Sequence, residues 1–138
     1  MVSTFVQTGV LLIDIRLFAQ SAGRGWPGSV LAARFGQHYQ HVPALGNLYE
    51  QSGTCAIQIA DPSRGVQQAL TLLERHQHRS HANGHLLLLC ACADWRRCHR
   101  QVVAHLLRGA IPGSQVAHIG QVCVERDGAW KQSEEEVR

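Results

Sequence analysis

His85-Leu-Leu-Leu-Leu-Cys90-Ala-Cys92-Ala-Asp94-Trp-Arg96-Arg97-Cys98-His99-Arg100-Gln-Val-Val-Ala-His-Leu-Leu-Arg108 is the stretch that decides the fold. Leu86 to Cys90 is an unbroken apolar run, the pattern of a strand buried on both faces. Asp94 is placed to cap a following helix, in which Val102, Val103, Leu106 and Leu107 recur at helical spacing. A strand, a loop and a helix start in that order form the unit in which α/β proteins build sites, because the first N–H groups of a helix lack partners and attract anions. Three cysteines, one histidine and three arginines fall within residues 90–100. Packing alone gives no reason to gather those types in one place.

Outward from this unit the chain alternates strands and helices. Val10 to Arg16 reads as a buried strand that ends on two charged groups. Asp14 and Arg16 are two apart, so on a strand they share a side. They read either as a salt bridge at a strand end or as part of a site. Residues 18–28 are rich in turn formers, and Ser29 is placed to cap a short helix that Gly36 ends. His38 to Val42 reads as a second strand stopped by Pro43, and Gly46-Asn47 as a loop in which the backbone turns or approaches something closely. Cys55 to Ala60 alternates weakly, as a short edge strand does. Asp61-Pro62 signals a helix start, with Val66, Ala69, Leu70 and Leu73 on the buried face to about Arg75.

Gln115 to Ile119 reads as a fourth core strand, and Gln121 to Lys131 as a hairpin around Asp127-Gly128. The expected architecture is a single α/β domain over residues 1–131, followed by a disordered charged tail over 132–138. Its central sheet is mostly parallel, with about four core strands, helices on both faces and a C-terminal hairpin. In such sheets ligands bind outside the carboxyl ends of the strands. That rule gathers Asp14, Arg16, His41, Cys90, Cys92, Cys98, His99 and Arg100 on one rim.

Composition narrows the classes. At 138 residues with 45% hydrophobic and 17% charged content, the chain suits one soluble globular domain. The net charge is +3 but uneven: in residues 1–124, ten bases against five acids give +5. Twelve of the thirteen bases are Arg, a type suited to two-pronged anion contacts. A small anionic or phosphate-bearing ligand fits this charge, whereas nothing specifies nucleic acid. No apolar run approaches the ~20 residues that cross a membrane. Five cysteines, an odd count, with no secretory pattern at the start, lead to an expectation of free thiols in a reducing cytoplasm.

Asp14-Ile-Arg16, then Tyr39-Gln-His41-Val-Pro43-Ala-Leu45-Gly46, then Cys90 followed eight residues later by Cys98-His99-Arg100, resemble the uncharacterised family DUF488. The resemblance runs over about residues 10–119. It departs in two places: the family's early Thr-Ile-Gly-His-like segment has no counterpart here, and Cys92 stands where the family is commonly acidic. The resemblance implies the α/β fold and the location of the site, and it implies no reaction.

The chemistry has to come from the residues themselves. A thiol at a helix start beside Arg and His has its thiolate stabilised. Cys98 is the candidate nucleophile or redox thiol, with His99 or His41 as acid or base and Asp14 as its orienting partner. Arg16, Arg96 and Arg100, with Gly46, Asn47 and Cys90, are the candidate ligand-binding set. Cys90-x5-Arg96 also has the spacing of phosphatase and rhodanese loops, without their glycines. Cys90, Cys92, Cys98 and His99 carry atom types that suit zinc, although the paired Cys-x2-Cys spacing is missing. His76, His78, His81 and His85 form a second, surface-like cluster. Two functions stay open: a small thiolate enzyme on a phosphorylated or nucleotide-type substrate, or a non-catalytic module that binds an anion or metal. No cofactor is specified.

Overall fold

The computed structural model describes residues 10–20, 27–50, 52–80, 85–92, 94–119, 123–124, 130–131 and 134–136. Three parallel strands form the central sheet: β1 (Leu11–Asp14), β2 (Tyr39–His41) and β3 (Leu86–Leu89), in the order β2-β1-β3. The middle position of β1 explains its composition. Leu11, Leu12, Ile13 and Asp14 are all buried, and β-branched and leucine side chains on both faces suit a strand covered on both sides. The Leu86–Leu89 run, expected to be the central strand, lies instead at an edge and is half-buried.

Alternation along β1 divides the core in two. Leu12 packs with Tyr39 and with Leu31 and Phe35 of helix α1 (Gly28–Phe35). Leu11, Ile13 and Ile15 point the other way, onto α2 (Pro62–Ser80) through Ala69 and Leu73, and α3 (Arg100–Ala110) through Val103 and Leu107. The helices therefore cover both faces, as the β-α alternation predicts.

The helix ends follow local chemistry with three corrections. The start of α1 is not capped by Ser29: Pro27 holds the cap position with no side-chain hydrogen bond, and Gly36 at φ +53° closes the helix. For α2, the Asp61 carboxylate accepts the Arg64 N–H at 3.2 Å. This helix continues beyond Arg75 to Ser80. His76 is buried there, with Nε2 2.9 Å from His38 Nδ1, so a tertiary contact sustains the extra turn. Asp94 does cap, but what it caps is a 3-10 turn over Trp95–Arg97, accepting the Arg96 N–H at 3.0 Å. Helix α3 begins only at Arg100.

Among the described residues the central sheet has three strands rather than about four. β4 (Ala117–Ile119) pairs antiparallel with β7 (Glu134–Glu136), within the stretch read as a tail, and not with the central sheet. Three residues alternating apolar and polar suit a peripheral ribbon better than a parallel core covered on both faces. β5 (Cys123–Val124) and β6 (Trp130–Lys131) make the antiparallel hairpin; its Asp127-Gly128 turn lies outside the described residues. Cys55 to Ala60 is not a strand. It contributes a single bridge, Asn47 to Ile59.

Candidate functional site

Because the three strands are parallel, Asp14, His41 and Leu89 all end at one edge. Two polar clusters form there. In the first, the Asp14 carboxylate is wholly buried and receives the Arg16 guanidinium through both oxygens, Nε at 2.9 Å and Nη2 at 2.6 Å, together with the Arg16 N–H at 3.1 Å. The Tyr39 hydroxyl donates to the same carboxylate at 2.7 Å. Burial works against the charge on Asp14, but the hydrogen bonds from Arg16 and Tyr39 outweigh it and hold the carboxyl below its ordinary range. Burial and the neighbouring carboxylate push the Tyr39 phenol up. His41 Nε2–H donates to the Arg16 carbonyl at 2.7 Å. Asp14, Arg16 and His41 thus come together, but Arg16 turns its Nε and Nη2 donors to Asp14.

The second cluster is built from the loop after β3 and the start of α3. His99 is buried, and its Nε2–H donates to the Ile15 carbonyl at 2.9 Å, so that the residue following β1 fixes the ring. The other nitrogen, Nδ1, lies 3.8 Å from both the Cys98 and the Cys90 sulfurs. Cys90 and Cys92 have sulfurs 3.8 Å apart, and the three sulfurs of Cys90, Cys92 and Cys98 all lie within 4.8 Å of one another. Exposure is graded: Cys98 is 1% exposed, Cys90 half-buried and Cys92 exposed. All three are free thiols, as is Cys55.

The cluster divides its protons unevenly. A hydrogen bond from Cys90, with further help from His99 and the Arg100 N–H at 3.4 Å, stabilises the Cys98 thiolate against its burial and pulls its pKa down. The same bond, together with burial, pushes Cys90 up as it pulls Cys98 down, so the two sulfurs share one proton and one negative charge. Cys92 is pushed up by burial and by the adjacent Cys98 charge. Burial disfavours a charge on His99, yet the contacts with Cys98 and the Ile15 carbonyl prevail and raise its pKa. Arg100 sends Nη2 to the Cys92 carbonyl at 2.9 Å, while its buried Nε has no hydrogen-bond partner among the described residues. It does not bridge to Asp14, whose oxygens are taken by Arg16 and Tyr39. Arg96 is exposed, its guanidinium 5.4 Å from the Trp95 ring, which itself stacks on His118 at 3.9 Å.

Gly46 and Asn47 act one step back from both clusters. Asn47 binds its own loop: Nδ2 donates to the Ala56 carbonyl at 3.0 Å, and Oδ1 accepts the Tyr49 and Gln58 N–H groups at 3.1 and 2.9 Å. A Cβ on Gly46 would sit 2.7 Å from the Leu17 Cα, so glycine is what allows this loop to lie against the chain beyond β1. The loop carries Glu50, whose carboxylate accepts the Leu17 and Phe18 N–H groups, each at 3.3 Å. A Glu50 oxygen, the Cys90 sulfur and a His99 nitrogen lie within 4.8 Å of one another. Glu50 escaped the sequence reading. One signal was available, since it is the only acid between Asp14 and Asp61.

Of the surface-like second histidine cluster, His78 and His85 are exposed, His76 is instead buried against His38, and His81 lies outside the described residues. No helix among the described residues is long and apolar enough to cross a membrane. Comparison with curated proteins and with solved structures gave no match. Comparison with family models gave a match over residues 6–107, to the family described as a domain of unknown function, DUF488. That span takes in both clusters, and the chain belongs to the DUF488 family.

Proposed function

We propose that the protein is a small thiol-dependent enzyme whose working group is the Cys90–Cys98–His99 cluster. The observation that carries this reading is the position of Cys98. Its sulfur takes an N–H at the start of α3 and lies 3.8 Å from an imidazole whose other nitrogen is tied to the Ile15 carbonyl. Cys98 is too buried to meet a reactant, but Cys90 is half-buried and within 4.8 Å of it. In the proposed step the one proton held between the two sulfurs stays with Cys98 as the Cys90 sulfur, the more accessible of the pair, forms a bond to an electrophilic centre of the substrate. The leaving group departs with the electron pair of the bond that breaks. Cys98 is then a positioning residue that keeps the shared proton, and Cys90 is the nucleophile.

A small anionic substrate, of the phosphorylated or nucleotide type, suits the cations beside the thiols. Arg100 Nε has no partner among the described residues, and an unpaired buried N–H is costly unless something accepts it. The test is labelling with iodoacetamide at pH 7 on metal-stripped protein, read by peptide mass. Cys90 is expected to react faster than exposed Cys55 in the same chain, and Cys98→Ser to abolish that excess. Equal labelling of Cys90 and Cys55 in the parent protein overturns the reading.

A further inference from the structure

We infer that the same cluster is a seat for a thiophilic divalent cation of the zinc class, held by Cys90, Cys92, Cys98 and His99 Nδ1. The inference deepens the thiol reading by naming what the cluster takes, and it stands on geometry. In a tetrahedral zinc site with Zn–S of about 2.3 Å and Zn–N of about 2.0 Å, neighbouring sulfurs lie roughly 3.8 Å apart and a sulfur and a nitrogen roughly 3.6 Å apart. The Cys90–Cys92 sulfur pair lies at 3.8 Å, and His99 Nδ1 lies 3.8 Å from both Cys90 and Cys98. Three independent edges of the tetrahedron are thus present before any ion enters.

The surroundings match as well. A ligating histidine characteristically donates its second N–H to a carbonyl, which fixes the tautomer and aims the lone pair. His99 does this with the Ile15 carbonyl, across 84 residues of sequence, leaving Nδ1 turned to the sulfurs. The Arg100 N–H reaches the Cys98 sulfur at 3.4 Å, and Arg100 Nη2 holds the Cys92 carbonyl, which fixes the exposed ligand loop. Three sulfurs and one imidazole select zinc and its soft neighbours over magnesium or calcium, which prefer oxygen. The usual Cys-x2-Cys knuckle is missing because the sheet edge does its work: Cys90 leaves β3, His99 is pinned to the residue following β1, and Cys98 sits at the start of α3. Exposed Cys92 is the entry side. Binding breaks the S–H bonds of the protonated thiols and releases those protons to solvent, with no electron transferred. Glu50, near Cys90 and His99, has both oxygens engaged by the Leu17 and Phe18 N–H groups and stands beside the four ligands.

The test uses the whole chain, purified without chelator and analysed for metal, then stripped and titrated with Zn2+ and with Co2+. The expected result is one zinc per chain, and for Co2+ the intense visible bands of a tetrahedral ion with thiolate-to-metal absorption in the near ultraviolet. Cys92→Ser leaves the fold intact because the side chain is exposed, and it is expected to weaken Zn2+ binding on the order of tenfold or more and to reduce the thiolate band. Cys55→Ser, at an exposed cysteine outside the cluster, is expected to change neither. A weak octahedral Co2+ spectrum in the parent protein, or Zn2+ affinity unchanged by Cys92→Ser, overturns the inference. Either result with Cys90 still labelling faster than Cys55 removes the metal and leaves the thiol chemistry standing. Tight metal binding with ordinary Cys90 labelling does the reverse.

Discussion

The two polar clusters at the carboxyl edge of the sheet are both tied to the chain at the end of β1, one through Asp14 and one through the Ile15 carbonyl, yet they differ in how completely they are satisfied. Around Asp14 both carboxylate oxygens are paired, the counter-ion is two residues away, and a phenol fills the remaining direction. Around His99 three thiols and an imidazole crowd one another with sulfur contacts near 3.8 Å, where hydrogen bonds are weak. Alternation along the strand makes the division. Asp14 and Arg16 face the α1 side with Leu12, while Ile15 points to α2 and α3 and offers its carbonyl to His99. A closed cluster of strong bonds suits stability. A cluster that shares too few protons among too many acceptors suits chemistry or a cation.

The largest expected effect breaks the first cluster. Asp14→Ala strands a buried guanidinium and removes four hydrogen bonds, so a loss of about 3–5 kcal/mol is expected by denaturant unfolding. Its pH dependence follows from the sign of the shift. The folded carboxyl titrates below its unfolded value of about 3.9, so its contribution is whole at neutral pH and is lost as pH falls through the lowered folded value. Acid unfolding of Asp14→Asn should lack that component. Stability falling equally with pH below about 4 in parent and variant would contradict the assignment. Tyr39→Phe should cost less, about 1.5–3 kcal/mol, the worth of one hydrogen bond to a charged group.

Gly46→Ala sharpens the comparison from the loop side. A methyl there meets the Leu17 backbone, and the cost of overpacking is about 1–3 kcal/mol. Because the loop also carries Glu50 towards Cys90 and His99, the variant should alter Cys90 labelling as well as the melting temperature. A melting shift without a labelling change would separate Gly46 from the second cluster. The smallest expected effect on stability is that of Cys92→Ser, within about 0.5 kcal/mol, as for an exposed side chain of metal-stripped protein.

Much of this was legible in the sequence because local patterns carry it. The apolar run of β1, the Asp61-Pro62 helix start and the Gly36 stop each act within a few residues. So did the rim: a parallel sheet obliges Asp14, His41 and Cys90 to share an edge. What escaped depended on distant pairing. Ala117–Ile119 has strand composition, but its pairing with Glu134–Glu136 could not be read from either segment alone. The extra turn of α2 rests on His38, 38 residues away from His76. Glu50 reaches the site because Asn47 ties Ala56 and Gln58 back onto its own loop.

The central claim is that the Asp14 cluster holds the fold while the Cys90–Cys98–His99 cluster does the chemistry. The most direct measurement is the ratio of Cys90 to Cys55 labelling in Asp14→Asn, taken below its melting temperature on metal-stripped protein and compared with the parent. The account predicts a lower melting temperature with the labelling ratio unchanged. A ratio that collapses to that of Cys55 while the protein remains folded would show that the two clusters are one, and would contradict it.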